Sequence, residues 1–198
     1  MRENGGGAVG TEKPTAFRPL GRRAALGLLL LSAWGAFAAP ARVPSKLQLA
    51  LLTKIFAQDD SLQSRNRIRV QIVFDPAGAD SAWLKTEVSE LARGAAALAV
   101  GGRGVETEVV RVDEIKDKPI PDIYFLCALN DASAQAVFET ARTRKIRCFG
   151  SEPGDARRGA SVSIGVADGK PRIRINRGAA AAQGAKFSEA VLNLADVF

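Results

Sequence analysis

The stretch SVSIGVADGKPRIRIN, residues 161–176, does most to decide the fold. Apolar residues occupy every second position over residues 162–166 and again over residues 171–175. Asp168-Gly169 stands between these two runs, and this dipeptide is a strong signal for a tight hairpin because both turn residues must accept a positive φ. The stretch therefore predicts an antiparallel β-hairpin near the end of the chain.

Upstream of the hairpin, predicted strands alternate with predicted helices. Strands are expected at residues 67–74, 105–112, 122–128 and 145–149. Helices are expected to begin at Ser45 and at about Ser81, and two more are expected to follow caps at Asp131 and Ser188. Such alternation is typical of a mostly parallel sheet that is covered by helices on both faces. We therefore predict an α/β fold: a three-layer sandwich with a mostly parallel sheet, a C-terminal antiparallel hairpin and a terminal helix.

The first predicted helix has a sequence signal at its start and an apolar face. Ser45 and Gln48 have the spacing of a capping box. The inward face is expected to contain Leu47, Leu51 and Ile55, with Leu52 and Phe56 beside them. Lys54 lies away from that face, and two interpretations are open: a surface lysine, or one that lines a groove beside the hairpin.

The first 38 residues have the pattern of an export signal. Arg22-Arg23 precedes a short apolar run, and Ala36-Phe37-Ala38 has the small-x-small form of a cleavage site. The apolar run is shorter than the ~20 residues that span a membrane, which disfavours an uncleaved anchor. We predict a signal peptide at 1–38, a tether at 39–44 and a single α/β domain at 45–198. Since the paired arginines partly match the Tat pattern, Sec and Tat export are both open.

The composition argues against several classes of function. The chain has no histidine, which removes the common Ser-His-Asp and Cys-His catalytic groups and the usual zinc sites. We therefore predict that the protein is not an enzyme, and we expect no catalytic residue, metal site or cofactor. The net charge of +7 falls to about +4 without the leader, and aromatic residues make up 6% of the chain. This favours an acidic partner and gives no pattern for nucleic-acid binding.

Two groups of residues are candidates for ligand or partner binding. Asp75 follows the first strand, and in an open α/β sheet ligands bind at the carboxyl ends of the strands. An acidic residue at that place is also a common cap, and both interpretations are open. Arg172, Arg174 and Asn176 share one face of the hairpin, which is either a solvated face or a surface for an anion or a partner. Asn176 is further expected to cap the alanine-rich helix that follows it.

The two cysteines, Cys127 and Cys148, fall in the predicted strands on either side of the third helix. Two cysteines in an oxidising compartment suggest one disulfide. A bridge between adjacent strands is strained, however, and the apolar neighbours of both residues favour buried free thiols. A disulfide between Cys127 and Cys148 and two free thiols are therefore both open, and either arrangement would serve stability.

The end of the chain resembles the C-terminal signature of the YfiR/HmsC-like family of periplasmic proteins. The resemblance is carried by GVADGKPRIRIN at 165–176, the alanine run after Gly178, Lys186-Phe187-Ser188 and VLNLADV at 191–197. Residues 49–56, 123–127 and 145–151 are similar to earlier parts of the family, so the resemblance covers most of residues 45–198. The chain departs from many members at residues 58–62, where an aromatic-Trp-Pro segment is absent.

The best-known members of that family are small regulators that hold a membrane diguanylate cyclase inactive. The resemblance implies a non-enzymatic exported regulatory protein that binds the periplasmic part of an inner-membrane signalling protein, with a diguanylate cyclase as the target. The alternative is a periplasmic protein that binds a small ligand, an anion or a nucleotide, and an accessory factor for envelope assembly is a third hypothesis. A homodimer is also considered. The candidate binding residues are Lys54, Asp75, Arg172, Arg174 and Asn176.

Overall fold

The computed structural model describes residues 42–77, 81–95 and 97–198. The predicted signal peptide, its cleavage site and the first part of the predicted tether lie outside the described residues. From Ser45 onward, the predicted helices and strands occur in the predicted order, and three short elements, β2, α4 and β8, are additional. The helices are α1 (Ser45–Phe56), α2 (Ser81–Ala95), α3 (Asp131–Arg144), α4 (Asp155–Arg158), α5 (Arg177–Ala182) and α6 (Glu189–Leu192). The strands are β1 (Ile68–Phe74), β2 (Ala99–Val100), β3 (Arg103–Arg111), β4 (Ile123–Cys127), β5 (Arg147–Gly150), β6 (Val162–Ala167), β7 (Lys170–Ile175) and β8 (Asp196–Val197).

The described strands form one sheet in the order β2-β3-β1-β4-β5-β6-β7-β8. β3, β1, β4, β5 and β6 are parallel neighbours, whereas β2 is antiparallel to β3 and β7 is antiparallel to β6. The chain therefore reverses its direction of travel across the sheet between β1 and β4, which is the topological switch point of a doubly wound fold. The predicted fold class, an α/β sandwich with a mostly parallel sheet, is confirmed.

The core lies on both faces of the sheet. On one face α1 and α2 cover the strands, and residues such as Leu52, Leu91, Ile72 and Phe125 pack together. On the other face α3 covers the middle of the sheet, and its Phe138 packs with Tyr124 and Leu126. Alternate residues of β4 thus enter opposite layers of the core, as the period of two in a strand requires.

The hairpin has the predicted turn. β6 pairs with β7 from Val162↔Ile175 to Ala167↔Lys170, which leaves Asp168 and Gly169 as the two turn residues. Their φ angles are +52° and +70°, so both occupy the left-handed region that a two-residue turn of type I′ needs.

The details of α1 differ from the prediction. The helix has the predicted bounds, but Pro44 occupies the N-cap position and no side chain caps the helix, so the capping box is wrong. Gln48 is buried instead, and its Nε2 donates to the Val43 carbonyl oxygen at 2.7 Å. The inward face contains Leu49, Leu52, Ile55 and Phe56, and Leu47 is 38% exposed. The buried face is rotated relative to the predicted one, away from Leu47 and Leu51 and towards Leu49 and Leu52.

Two other helix ends also differ. Asn130, not Asp131, caps α3, since its Oδ1 accepts from the Ser133 N–H at 2.9 Å. The terminal helix α6 ends at Leu192, and Asp196–Val197 forms a strand parallel to β7. Ser188 is at the predicted N-cap position of α6, but its side chain makes no capping hydrogen bond. Leu194 lies beyond the helix and is 79% exposed. Within the described residues, no helix is long and apolar enough to cross a membrane.

Candidate functional site

Asp75 lies at the carboxyl edge of the sheet, directly beside the switch point between β1 and β4. Its Oδ2 accepts from Asn130 Nδ2 at 2.6 Å and from Ser133 Oγ at 2.7 Å, and its Oδ1 accepts from the Ala77 N–H at 2.8 Å. Asp75 is buried. The carboxylate therefore connects the end of β1 to the start of α3 through the side chains of Asn130 and Ser133, and it does not itself cap the helix, since Asn130 does. A role in ligand binding stays a prediction.

The two acidic residues after β3 lie at the same edge and are exposed. Arg111 Nη2 lies 2.9 Å from Asp113 Oδ2, and Arg111 Nε lies 3.7 Å from Glu114 Oε1. The hydrogen bond from Arg111 holds the pKa of Asp113 below its usual range. These residues form a small surface ion-pair cluster at the end of β3.

The polar residues of the hairpin take three different roles. Asn176 caps α5, since its Oδ1 accepts from the Ala179 N–H and its Nδ2 donates to the Ala156 carbonyl, both at 2.9 Å. The predicted cap is thus confirmed. Arg174 is partly buried and donates to the Pro153 carbonyl oxygen at 2.9 Å. Arg172 is exposed, so it is the hairpin arginine that presents its guanidinium to solvent.

The predicted binding residues do not converge on one pocket. Asp75 follows β1 and the arginines belong to β7, and these strands are separated by four steps of the sheet, about 19 Å. Lys54 is exposed on α1. That helix packs chiefly on α2 and β2, and its last residue, Phe56, also contacts Phe187. Asp75, Lys54 and the hairpin arginines therefore occupy separate places in the structure, and of these Asp75 is buried.

The two cysteines are free and buried, so the disulfide is not formed. Cys148 is paired with Tyr124 across β4 and β5 and shares its face of the sheet, whereas Cys127 is three residues further along β4 and packs in the opposite layer. A bridge through the sheet is excluded by this geometry. Burial raises the pKa of both thiols well above their usual range.

Sequence reasoning missed a buried acidic group between α2 and the start of α1. Glu87 is 7% exposed and its Oε2 has no hydrogen-bond partner among the described residues. Burial raises its pKa to about 7, and Glu152 and Glu90 add to this while Arg42 opposes it. Glu87 borders a cavity of about 200 Å³. The signal was present, since Glu87 lies four residues before Leu91, on the apolar stripe of α2.

Sequence reasoning also missed a buried ion pair that fixes the position of the C-terminal signature, residues 165–197. Arg147 Nε lies 3.0 Å from Asp59 Oδ2, and Arg147 Nη2 donates to the Gly184 carbonyl at 2.9 Å. The Lys186 N–H in turn donates to Asp59 Oδ1 at 2.8 Å. The loop after α1, strand β5 and the segment between α5 and α6 therefore meet at one polar junction.

The C-terminal signature also forms a surface pocket of about 280 Å³ beside the hairpin. Its lining is mostly apolar, with one basic and one acidic residue. The lining residues are Ile175, Arg177, Ala180, Ala181, Ala185, Phe187, Glu189 and Leu192. Phe187 also packs on Phe56 of α1, with ring centroids 5.8 Å apart. A pocket of this size suits one apolar side chain or a small apolar group.

Residues 81–196, which include the hairpin and this pocket, match the sequence profile of the YfiR/HmsC-like family. The chain belongs to that family. YfiR-like proteins are periplasmic regulatory proteins that are generally non-enzymatic, so membership supports a regulatory role in the periplasm in general terms. The resemblance that the sequence suggested is thus confirmed.

Two solved structures share the fold at low sequence identity. A conserved domain protein from Vibrio cholerae O1 biovar El Tor matches with a TM-score of 0.52 and 18% identity. The ABC domain from Streptococcus pneumoniae, solved in complex with L-Trp, matches with a TM-score of 0.53 and 18% identity. In each case the match covers 78% of this chain and 60% of the other. At this identity the likeness shows the fold alone. No curated protein matches the chain in sequence.

Proposed function

We propose that this protein is a non-enzymatic exported regulator that binds the periplasmic part of an inner-membrane signalling protein, with repression of a diguanylate cyclase as the specific hypothesis. The observation that carries the proposal is the family match over residues 81–196. The absence of histidine from the whole sequence also favours a binding role over catalysis.

The mechanism would be differential binding. A regulator of this kind favours the inactive state of its partner only as far as its affinities for the two states differ. A tenfold difference in affinity therefore shifts the partner's equilibrium at most tenfold, whatever the total affinity. The proposal requires no chemistry from the protein, only a surface that recognises one state.

The hairpin and the neighbouring pocket are the surface that we assign to this contact. Lys170 and Arg172 are exposed on β7, and Arg177 borders the apolar pocket beside it. A guanidinium beside an apolar pocket suits a partner segment in which a carboxylate stands next to an apolar anchor, since arginine binds carboxylates through two parallel hydrogen bonds. Residues 170–177 lie within the part of the chain that matches the family.

The test is a pull-down from detergent-solubilised membranes of the source organism, read by mass spectrometry. The tagged full chain is expressed with its own leader and used after export, in parallel with R172E and R93E. Arg93 is an exposed arginine on α2, so R93E is a control of equal charge change away from the hairpin. We expect one signalling membrane protein with wild type and R93E and its loss with R172E. Recovery of no membrane protein above background would contradict a stable partner, and equal recovery with R172E would contradict the assigned surface.

A second candidate function is binding of a small ligand, an anion or a nucleotide. It is favoured by the switch point between β1 and β4, because ligands of doubly wound folds bind outside the carboxyl ends of the strands there. The fold-related Streptococcus domain was solved with L-Trp, which concerns that protein. A thermal-shift panel of anions and nucleotides tests this function. A stabilisation that is lost in D75N but kept in R172E would place the ligand at the switch point, whereas no shift across the panel would contradict it.

A further inference from the structure

The cavity of about 200 Å³ between the start of α1 and the second half of α2 has no role in the proposed function. Residues 42–45, which lead into α1, form one wall, and Thr86, Glu87 and Glu90 of α2 form the other. Glu87 and Glu90 are three positions apart, so their side chains are neighbours on the same side of the helix. Two acidic side chains therefore border one small cavity.

Two buried acceptors, one in the cavity wall and one bonded to it, have no donor. Glu87 is 7% exposed, and its Oε2 has no partner among the described residues. Gln48 is 1% exposed, and its Nε2 donates to the carbonyl oxygen of Val43 in the cavity wall at 2.7 Å. The Oε1 atom of Gln48 is also without a partner in the described part of the chain. Since buried polar groups normally have partners, the cavity lacks a hydrogen-bond donor.

The charges around the cavity favour a cation. Arg42 is the basic residue in the wall, and its Nη2 lies 3.1 Å from Glu152 Oε1, so a carboxylate already balances its charge. Burial is the main cause of the raised pKa of Glu87, and the negative charges of Glu152 and Glu90 raise it further. A cation in the cavity would oppose these effects, because a nearby positive charge stabilises the ionised carboxylate.

We propose that the cavity beside Glu87 binds a small organic cation that carries N–H donors, of which a primary alkylammonium is the simplest. An ammonium group has three donors and no acceptor, so it supplies what the Glu87 Oε2 atom lacks. Its alkyl part would contact Val43 and Pro44, which also border the cavity. Two carboxylates suit one ammonium group, whereas Ca²⁺ takes six to eight oxygen ligands. The site shares no residue with the hairpin or with the pocket beside it.

The ionised form of Glu87 would bind the ligand. The pKa of Glu87 is about 7 without a ligand, and an alkylammonium keeps its proton at pH 8, as a lysine side chain does. Affinity should therefore be highest above pH 7 and should fall as Glu87 takes up a proton. We expect binding at pH 5 to be at least about tenfold weaker than at pH 8. The other charged groups that face Glu87 are Arg42, Glu90 and Glu152.

The test is an NMR titration of the full chain, expressed with its own leader and purified after export. Propylammonium chloride is the probe. Tetramethylammonium chloride has the same charge without an N–H donor, and sodium and magnesium chloride control for ionic strength and for a metal ion. We expect propylammonium alone to shift the amide signals of Val43 and Glu87 at pH 8, with a Kd of about 0.1–10 mM, as its four non-hydrogen atoms allow.

E87Q removes the charge and keeps the shape of the side chain, so it should weaken propylammonium binding at pH 8 more than about tenfold. E139Q is the matched control, because Glu139 is an exposed acid on α3, on the opposite face of the sheet, and it should bind as wild type does. Equal shifts with tetramethylammonium, sodium or magnesium would show an adventitious ion only and overturn the proposal. So would no shift with propylammonium, or equal affinity of a folded E87Q. If E87Q does not fold, the comparison of propylammonium with tetramethylammonium at pH 5 and pH 8 decides alone.

Discussion

Asp59 and Glu87 are two buried carboxylates in surroundings that differ sharply. Asp59 is 0% exposed and accepts from Arg147, from the Lys186 N–H and from the Ser61 N–H. Glu87 is 7% exposed, borders a cavity and has an oxygen without a partner among the described residues. Burial by itself therefore does not decide what an acid does. The two acids differ in their donors: Asp59 links three segments of the chain through its hydrogen bonds, whereas burial without a partner for one oxygen raises the pKa of Glu87 to about 7.

The largest expected effect is the loss of the partner of Asp59. We expect R147M to lower the free energy of unfolding by about 3–5 kcal/mol, because Asp59 is then left buried without its cation. Arg147 also donates to the Gly184 carbonyl, so the C-terminal signature loses this hydrogen bond to β5 as well. Urea unfolding followed by circular dichroism measures the change.

Two variants make this measurement specific. R147M–D59N should lose less than the effects of R147M and D59N added together, since it removes both charges of a coupled pair. R142M removes an exposed arginine that is paired with Glu139 on the surface of α3, and it should change stability by no more than about 0.5 kcal/mol. A cost of R147M equal to that of R142M would show that the buried junction contributes nothing.

The sequence was a good guide where local rules decide the structure. The turn at Asp168-Gly169 and the cap at Asn176 depend on residues within a few positions of each other, and both were predicted. Choices between adjacent positions were less accurate. The cap of α3 is Asn130 and not Asp131, because side-chain direction at the helix entry is not visible in the residue type.

Contacts between distant parts of the chain were beyond this reasoning. Asp59 and Arg147 are 88 positions apart, and nothing in either neighbourhood indicates the other. The same holds for the cysteines, because the face that each thiol occupies depends on the register of β4 with β5. Asp75 was predicted at the carboxyl edge of the sheet, where it lies, but the four strand steps between Asp75 and the hairpin arginines follow from the strand order alone.

Asp75 is an intermediate case, a buried acid held by neutral donors. Two of its bonds, from Asn130 and Ser133, end on one oxygen atom. We expect D75N to lower the free energy of unfolding by about 1–3 kcal/mol, because an amide cannot accept all three bonds with the strength of a carboxylate. Thermal and urea unfolding measure the loss. D113N changes the exposed ion pair after β3, and its free energy of unfolding should stay within about 0.5 kcal/mol of that of wild type. An equal effect of D75N and D113N would show that the hydrogen bonds of Asp75 to α3 do not stabilise the fold.

The smallest expected effect is a pH dependence from Glu87. The pKa of Glu87 is about 7 in the folded protein against an ordinary value of 4.5, so the folded state binds the proton more tightly than the unfolded state. Its contribution to stability is complete below pH 4.5 and is lost as the pH rises to 7. We expect the stability of wild type relative to E87Q to fall by about 1–2 kcal/mol across that interval, since the open side of the cavity lets water screen the charge.

The comparison with E87Q isolates this residue from the other acids nearby. Burial also raises the pKa of Asp155, to about 6, but that contribution is present in both proteins and cancels in the difference. E90Q removes an exposed acid of the same helix that borders the same cavity and helps to raise the pKa of Glu87. Its stability should therefore still fall over this interval, by somewhat less than that of wild type. If E87Q and wild type differ by a constant amount from pH 4.5 to 7, Glu87 does not titrate in that interval. That result would indicate that a hydrogen-bond donor satisfies the Glu87 carboxylate, as Arg147 satisfies that of Asp59. The difference between the two buried acids would then not exist.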